Sequence, residues 1–153
     1  KIEGYPSESR AVLHTATRDF FDNPNPSKDA KDAAAFNQKE LNKLQAFIKS
    51  VEDKYTDLIL IGIGGSELGP KANYEALKYL QKKNRHIHFL ANVDPDDAAE
   101  ILKQCNLAKT LVLVISKSGN TLETLTNELF IKERMIQMNL DPKHLGLHLR
   151  IFL

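Results

Sequence analysis

The sequence predicts an α/β fold: a doubly wound parallel sheet with helices on both faces. Two observations carry this reading. Short β-branched apolar runs alternate three times with stretches of helical period, and the connections between them are brief. That order requires parallel strands joined by right-handed crossovers, with ligands expected beyond the carboxyl ends of the strands.

The elements follow in order. Residues 1–17 hold a Gly-Tyr-Pro-Ser turn and the stretch Ser9–His14, and Asp22–Ser27 is dense in turn residues and reads as a loop. From about Asp29 to Tyr55 the period is helical, because Leu41, Leu44, Ile48, Val51 and Tyr55 recur at three- and four-residue steps and share one face. This helix is expected to lie on a flat surface. Leu58–Gly62 is too short for a helix and reads as a buried strand, broken by Gly64-Gly65-Ser66. Pro70–Lys83 reads as a helix with Leu77 and Leu80 turned inward, and His86–Ala91 as a second strand. Asp94-Pro95-Asp96-Asp97 caps a helix that ends near Cys105. Thr110–Ile115 is a third strand, followed by a helix to about Met138 with Leu122, Leu125, Leu129 and Ile136 on its apolar face. Leu145–Leu153 reads as the start of a fourth strand, so the sheet is expected to be incomplete. Residues 1–28 are expected to form an arm and 29–153 one domain, truncated at its C-terminus.

The chain of 153 residues has 21 Lys and Arg against 20 Asp and Glu, a formal net charge of +1. Neither nucleic acid nor an anionic membrane has a field to respond to, so any anion must be held by local geometry. No apolar run approaches the roughly 20 residues that span a bilayer. The single cysteine, Cys105, suits a reducing compartment, and a cytoplasmic location is expected. The chain opens at Lys1 without methionine and closes on an apolar stretch that lacks a turn signal, which is expected of a truncated product.

Two loops follow predicted strands and open predicted helices. In Gly62-Ile63-Gly64-Gly65-Ser66-Glu67-Leu68-Gly69-Pro70, glycines let the backbone approach a ligand, and the helix start supplies unpaired N–H groups and the positive end of its dipole. The same residues would also serve a tight turn with Ser66 as helix cap. A dinucleotide fingerprint starting at Gly62 would need glycine where Glu67 stands, and no Gly-Lys-Ser/Thr follows for a P-loop. The second loop, Ser116-Lys117-Ser118-Gly119-Asn120-Thr121, gathers three hydroxyls, an amide and an ammonium at a helix N-terminus, with Thr124 a turn later. Such groups can wrap the oxygens of a phosphate monoester. Capping alone needs one such side chain rather than five within six residues.

These motifs resemble those of the glucose-6-phosphate isomerase family. The stretch Ile61–Pro70 is similar to its signature, and Ser116–Thr124 to the phosphate loop of its sugar isomerase (SIS) domain, a flavodoxin-like fold. Ser7–His14 and Asn92–Pro95 are similar to two further family segments, so the resemblance spans about residues 5–140. It implies that Gly65, Ser66, Ser116, Lys117, Ser118, Gly119, Asn120 and Thr121 bind the phosphate of glucose 6-phosphate or fructose 6-phosphate. Gly119-Asn120 falls where the family varies, and Leu145–Leu153 departs from it, as a shifted reading frame or artificial junction near His144 would produce. The family implies no cofactor and no metal, and a homodimer in the intact enzyme. It also implies that the glutamate base, the ring-opening histidine and lysine and the enediolate arginine lie outside this chain, which then carries no catalytic residue. A stand-alone sugar-phosphate sensor on the same fold is the alternative.

The remaining candidates read as structural. His86 and His88 share a strand face, but no third metal ligand has suitable spacing, so a half-buried polar pair is expected. His144 and His148 are separated by Gly146, and His14 follows an apolar run. Cys105 has no basic neighbour nearer than Lys103, so no reactive thiol is indicated. Glu67 and Glu123 fall in helix first turns, where a carboxylate complements the dipole.

Overall fold

A computed structural model of the chain describes residues 23–140. The chain divides into two compact units, Lys1–Glu52 and Asp53–Leu153. Readings made before Asn23, and the expected fourth strand near Leu145–Leu153, lie outside the described residues.

In the first unit, helix α1 spans Lys28–Val51, capped by Ser27, whose side chain accepts the Ala30 N–H, and with Asp29 in its first turn. It stops a turn short of Tyr55. By Thr56 the chain is already engaged in the sheet, donating to the Lys109 carbonyl and accepting from the His86 N–H. The apolar face is where the period puts it, yet Leu41, Leu44 and Ile48 are exposed. Periodicity shows which face is apolar and not what covers it.

The second unit is a three-stranded parallel sheet of order β2-β1-β3, with β1 at Asp57–Ile61, β2 at His86–Leu90 and β3 at Thr110–Val114. Helix α2, Gly65–Leu77, and a 3-10 turn at Lys78–Leu80 join β1 to β2; helix α3, Pro95–Gln104, joins β2 to β3; helix α4, Leu122–Gln137, follows β3. The chain steps from β1 to one side and then crosses to the other. Right-handed connections therefore put α2 and α3 on opposite faces. The contacts agree: Tyr74 on α2 meets the Phe89 ring with centroids 5.8 Å apart, whereas Leu90, which points to the other face, packs with Ala98 and Ile101 of α3. The expected α/β architecture with helices on both faces is present.

The core lies on the face shared by α3 and α4. Ile59, Ile61, Leu90, Val112 and Val114 of the sheet meet Ala98, Ile101, Leu107, Ile131 and Met135 there. Asp94 caps α3 by accepting from Asp96 and Asp97, as the Asp-Pro-Asp-Asp stretch requires.

Two helices differ from expectation. Helix α2 begins at Gly65, five residues before Pro70, which sits inside it. Pro70 is the sixth residue of the helix, past its first turn, so its missing N–H removes one intrahelical bond. Leu77 and Leu80 are exposed rather than inward. On α4 most of the expected apolar face is turned outward: Leu122 (75%), Leu129 (59%) and Ile136 (60%) are exposed, and Leu125 alone of the four is half-buried. Thr124, Asn127, Glu128, Ile131 and Met135 face inward instead. Two of the three polar members of that buried face are held. Asn127 donates to the Asn92 carbonyl at 3.1 Å, and Lys132 pairs with Glu128 at 2.7 Å.

Candidate functional site

The strand order reverses at β1 and β3, and the crevice of such a sheet opens at the carboxyl ends of those two strands. Ile61 lies beside Val114, and the Ile115 N–H extends the ladder by donating to the Ile61 carbonyl at 2.8 Å. The two loops singled out by sequence therefore leave the sheet side by side.

The first loop is short because of its glycines. A Cβ on Gly62 would stand 2.9 Å from the Ser66 carbonyl oxygen, closer than real Cβ atoms approach backbone. Gly64 holds φ +58°, in the left-handed region, and is the N-cap of α2 without any side-chain cap. Ser66 is thus the second residue of the helix and not its cap. Glu67 is buried and pairs with Lys71 at 3.1 Å.

The second loop winds on its own hydroxyls. Ser116 Oγ accepts the Gly119 N–H at 3.0 Å, and Gly119 takes a left-handed φ of 74° to present it. Thr121 Oγ1 lies 3.4 Å from Ser116 Oγ and 3.3 Å from Ser118 Oγ, so three hydroxyls meet at one point. Thr121 is the N-cap of α4, yet its side chain makes no capping bond. Its hydroxyl is not engaged in terminating the helix, contrary to the purely structural reading of this loop.

Between the loops is a cleft of about 430 Å³. Ile63, Gly65 and Ser66 line it from the first loop, Ile115, Ser116, Lys117, Ser118 and Thr121 from the second, and Thr124 from α4. Six of the eight residues expected at the site are in that lining. Gly119 lies behind them, against a void of about 10 Å³ beneath the loop. Asn120 is exposed and lines neither space; its N–H donates to Ser118 Oγ at 3.4 Å.

Thr124 is the most informative residue of the lining. It is 2% exposed, and its hydroxyl has no hydrogen-bond partner among the described residues. A buried hydroxyl without a partner costs about 1–3 kcal/mol, so its persistence at a cleft marks a place where an oxygen-rich ligand or water completes it. The sequence signal for it was its spacing, three residues after the N-cap, on the helix turn that faces the loop.

Comparison with known proteins gives the family of the chain. Residues 4–152 match the phosphoglucose isomerase family. The chain belongs to that family. Its relatives include the glucose-6-phosphate isomerase of Protochlamydia amoebophila (strain UWE25), 51% identical over 145 residues, 93% of this chain and 27% of that protein. The glucose-6-phosphate isomerase of Chlamydia pneumoniae is 44% identical over 142 residues, again 93% of this chain and 27% of the relative. The crystal structure of a glucose-6-phosphate isomerase from Chlamydia trachomatis D/UW-3/Cx superposes with a TM-score of 0.85 at 41% identity, covering 95% of this chain and 28% of that one. The chain thus spans about 27% of the length of these curated family members.

Proposed function

We propose that this chain is the sugar-phosphate-binding part of a glucose-6-phosphate isomerase, and that the cleft between the two loops takes the phosphate of glucose 6-phosphate or fructose 6-phosphate. One observation carries the reading. The hydroxyls of Ser116, Ser118 and Thr121 converge on the cleft without capping the helix, and the buried Thr124 hydroxyl beside them lacks a partner among the described residues.

A phosphate monoester offers acceptor oxygens to all four hydroxyls. The N-termini of α2 and α4 open on the same side of the sheet, where their dipoles favour an anion. Lys117 adds a cation at the cleft wall. Binding then needs no bulk positive charge, consistent with the net charge of +1. Gly65, Ser66, Ser116, Lys117, Ser118 and Thr121 are the residues in this role, with Gly119 setting the loop's turn.

Proton transfer between adjacent carbons needs a base, and ring opening needs an acid–base pair. No carboxylate or imidazole is among the described residues that line the cleft. In this reading the chain binds substrate and does not turn it over by itself. No cofactor is required, because the proton moves between neighbouring carbons without a change in the substrate's overall oxidation level. Residues 29–153 would form the sugar isomerase domain and 1–28 an arm, with a homodimer as the intact assembly, in the cytoplasm and without nucleic acid or membrane as partner. No helix among the described residues is long and apolar enough to cross a membrane. The family match over residues 4–152 favours this reading over a stand-alone sugar-phosphate sensor.

The test is a calorimetric titration with fructose 6-phosphate, with fructose and inorganic phosphate as controls, beside an isomerase assay. Binding that depends on the phosphoryl group, is abolished in the Ser116→Ala, Thr121→Ala double variant and comes without turnover is expected. Turnover by the chain alone would overturn the assignment of binding without catalysis.

A further inference from the structure

The opposite edge of the sheet carries a second cluster that the sugar-phosphate reading does not use and does not depend on. Asp57 opens β1, so it lies four residue steps, about 13 Å, from the carboxyl end that holds the cleft. His88 is the third residue of β2 and points to the same face as Leu90. Cys105 is the residue on which α3 ends. The topology brings these three together although they are far apart in sequence. One carboxylate oxygen, one imidazole nitrogen and the thiol sulfur all lie within 4.8 Å of one another.

The polar atoms of this cluster are not otherwise satisfied in the usual way. The Asp57 and His88 side chains are 6% and 12% exposed. His88 Nε2 is buried and has no hydrogen-bond partner among the described residues. Asp57 Oδ1 is 3.8 Å from it, beyond hydrogen-bond reach. Thr56 Oγ1 donates to the other oxygen, Asp57 Oδ2, at 2.7 Å, which fixes the carboxylate and leaves Oδ1 turned toward the imidazole. A buried nitrogen lone pair or N–H without a partner calls for an explanation. Here a gap separates three different donor atoms, each a known ligand type for the same kind of ion.

We propose that Asp57, His88 and Cys105 form a three-ligand site for a borderline-soft divalent cation, zinc above all. Nitrogen, oxygen and sulfur donors together suit zinc, whose bonds run about 2.0–2.3 Å. Because the three atoms lie within 4.8 Å of one another, an ion centred between them would sit at most about 2.8 Å from each. Each ligand therefore closes by at most about 0.5–0.8 Å, within reach of small side-chain rotations. The fourth position of the tetrahedron is left to water. Thr56 is then the outer partner that orients the carboxylate. On binding, the Cys105 thiol releases its proton to solvent and the sulfur coordinates as thiolate. His86, the partner that sequence spacing suggested for His88, is exposed at the strand start and takes no part.

Equilibrium dialysis of the 153-residue chain against zinc, with metal content read by mass spectrometry, is expected to give one ion per chain. His88→Gln and Cys105→Ser should each weaken retention by at least about 100-fold, more than the loss of an outer-shell partner. Cobalt(II) in place of zinc should give the thiolate-to-cobalt charge-transfer band and a tetrahedral visible spectrum, and the band should vanish in Cys105→Ser. The proposal is overturned if the chain retains no zinc, if both variants retain it as the parent does, or if the cobalt spectrum of the parent lacks the thiolate band. The cobalt spectrum needs no variant, so it decides even where circular dichroism finds a variant unfolded.

Discussion

Thr121→Val separates the two roles a threonine can have at the start of α4. The substitution keeps the β-branched shape and removes only the hydroxyl. That hydroxyl touches Ser116 Oγ and Ser118 Oγ at 3.4 and 3.3 Å and makes no capping bond. If it serves a phosphate, its loss removes one hydrogen bond to a charged group, worth about 1.5–3 kcal/mol. At 1.4 kcal/mol per decade the affinity for fructose 6-phosphate should fall about 10- to 140-fold. Stability should barely move. If the residue were an ordinary cap, the pattern would invert: about 1 kcal/mol of stability would go, lowering Tm by about 2–4 °C for a chain of this length, while any affinity stayed. Calorimetric titration and thermal unfolding of the same two preparations give both numbers. A clear drop in Tm with unchanged affinity would refute the placement of this hydroxyl in the site.

The two neighbouring glycines of the first loop should respond in opposite ways. Gly62→Ala drives a Cβ to 2.9 Å from the Ser66 carbonyl and should destabilise the chain by about 1–3 kcal/mol in urea unfolding. Gly65→Ala meets nothing within 4 Å and should hold or raise stability by up to about 1 kcal/mol, while it blocks sugar-phosphate binding by putting a methyl group into the cleft. Burial, and secondarily the Asp57 charge, pushes the Cys105 thiol from 9.0 up to about 11. In the presence of a chelator its alkylation by iodoacetamide at pH 8 should be slower in the native than in the unfolded chain by on the order of 100-fold, following the thiolate fraction. Because the folded value is the higher one, the associated stability is intact below pH 9 and declines as pH rises through about 11, which alkaline urea titrations would detect.

The parallel sheet was legible because its strands are short, apolar and β-branched, and because each is followed by a segment of the other period. Ile59, Ile61, Val112 and Val114 are core residues in the structure as in the pattern. The site loops were legible for a related reason: Gly64 and Gly119 stand where the chain turns left-handed, and hydroxyls crowd a helix start where one cap would suffice. Helix orientation was not legible on α4. Apolar spacing favoured Leu122, Leu125, Leu129 and Ile136 as the inward face, whereas the structure leaves only Leu125 of these half-buried and buries Thr124, Asn127 and Glu128. An apolar scale cannot anticipate polar groups that are buried with partners or beside a cleft. Neither could spacing join Asp57, His88 and Cys105, which meet only because β1, β2 and the end of α3 converge.

The near neutrality of the chain has a kinetic side. A cleft that holds a dianion through hydroxyls, amide hydrogens and helix ends acts at contact range, and a net charge of +1 casts almost no field beyond it. In the proposed function, arrival of the sugar phosphate would then be governed by diffusion and orientation rather than by long-range attraction. The association rate should change little as the ionic atmosphere shortens from about 30 Å at 0.01 M to about 8 Å at physiological strength. Capture of this kind proceeds alike in dilute and in salt-laden surroundings, and selectivity is exercised in how long the ligand stays.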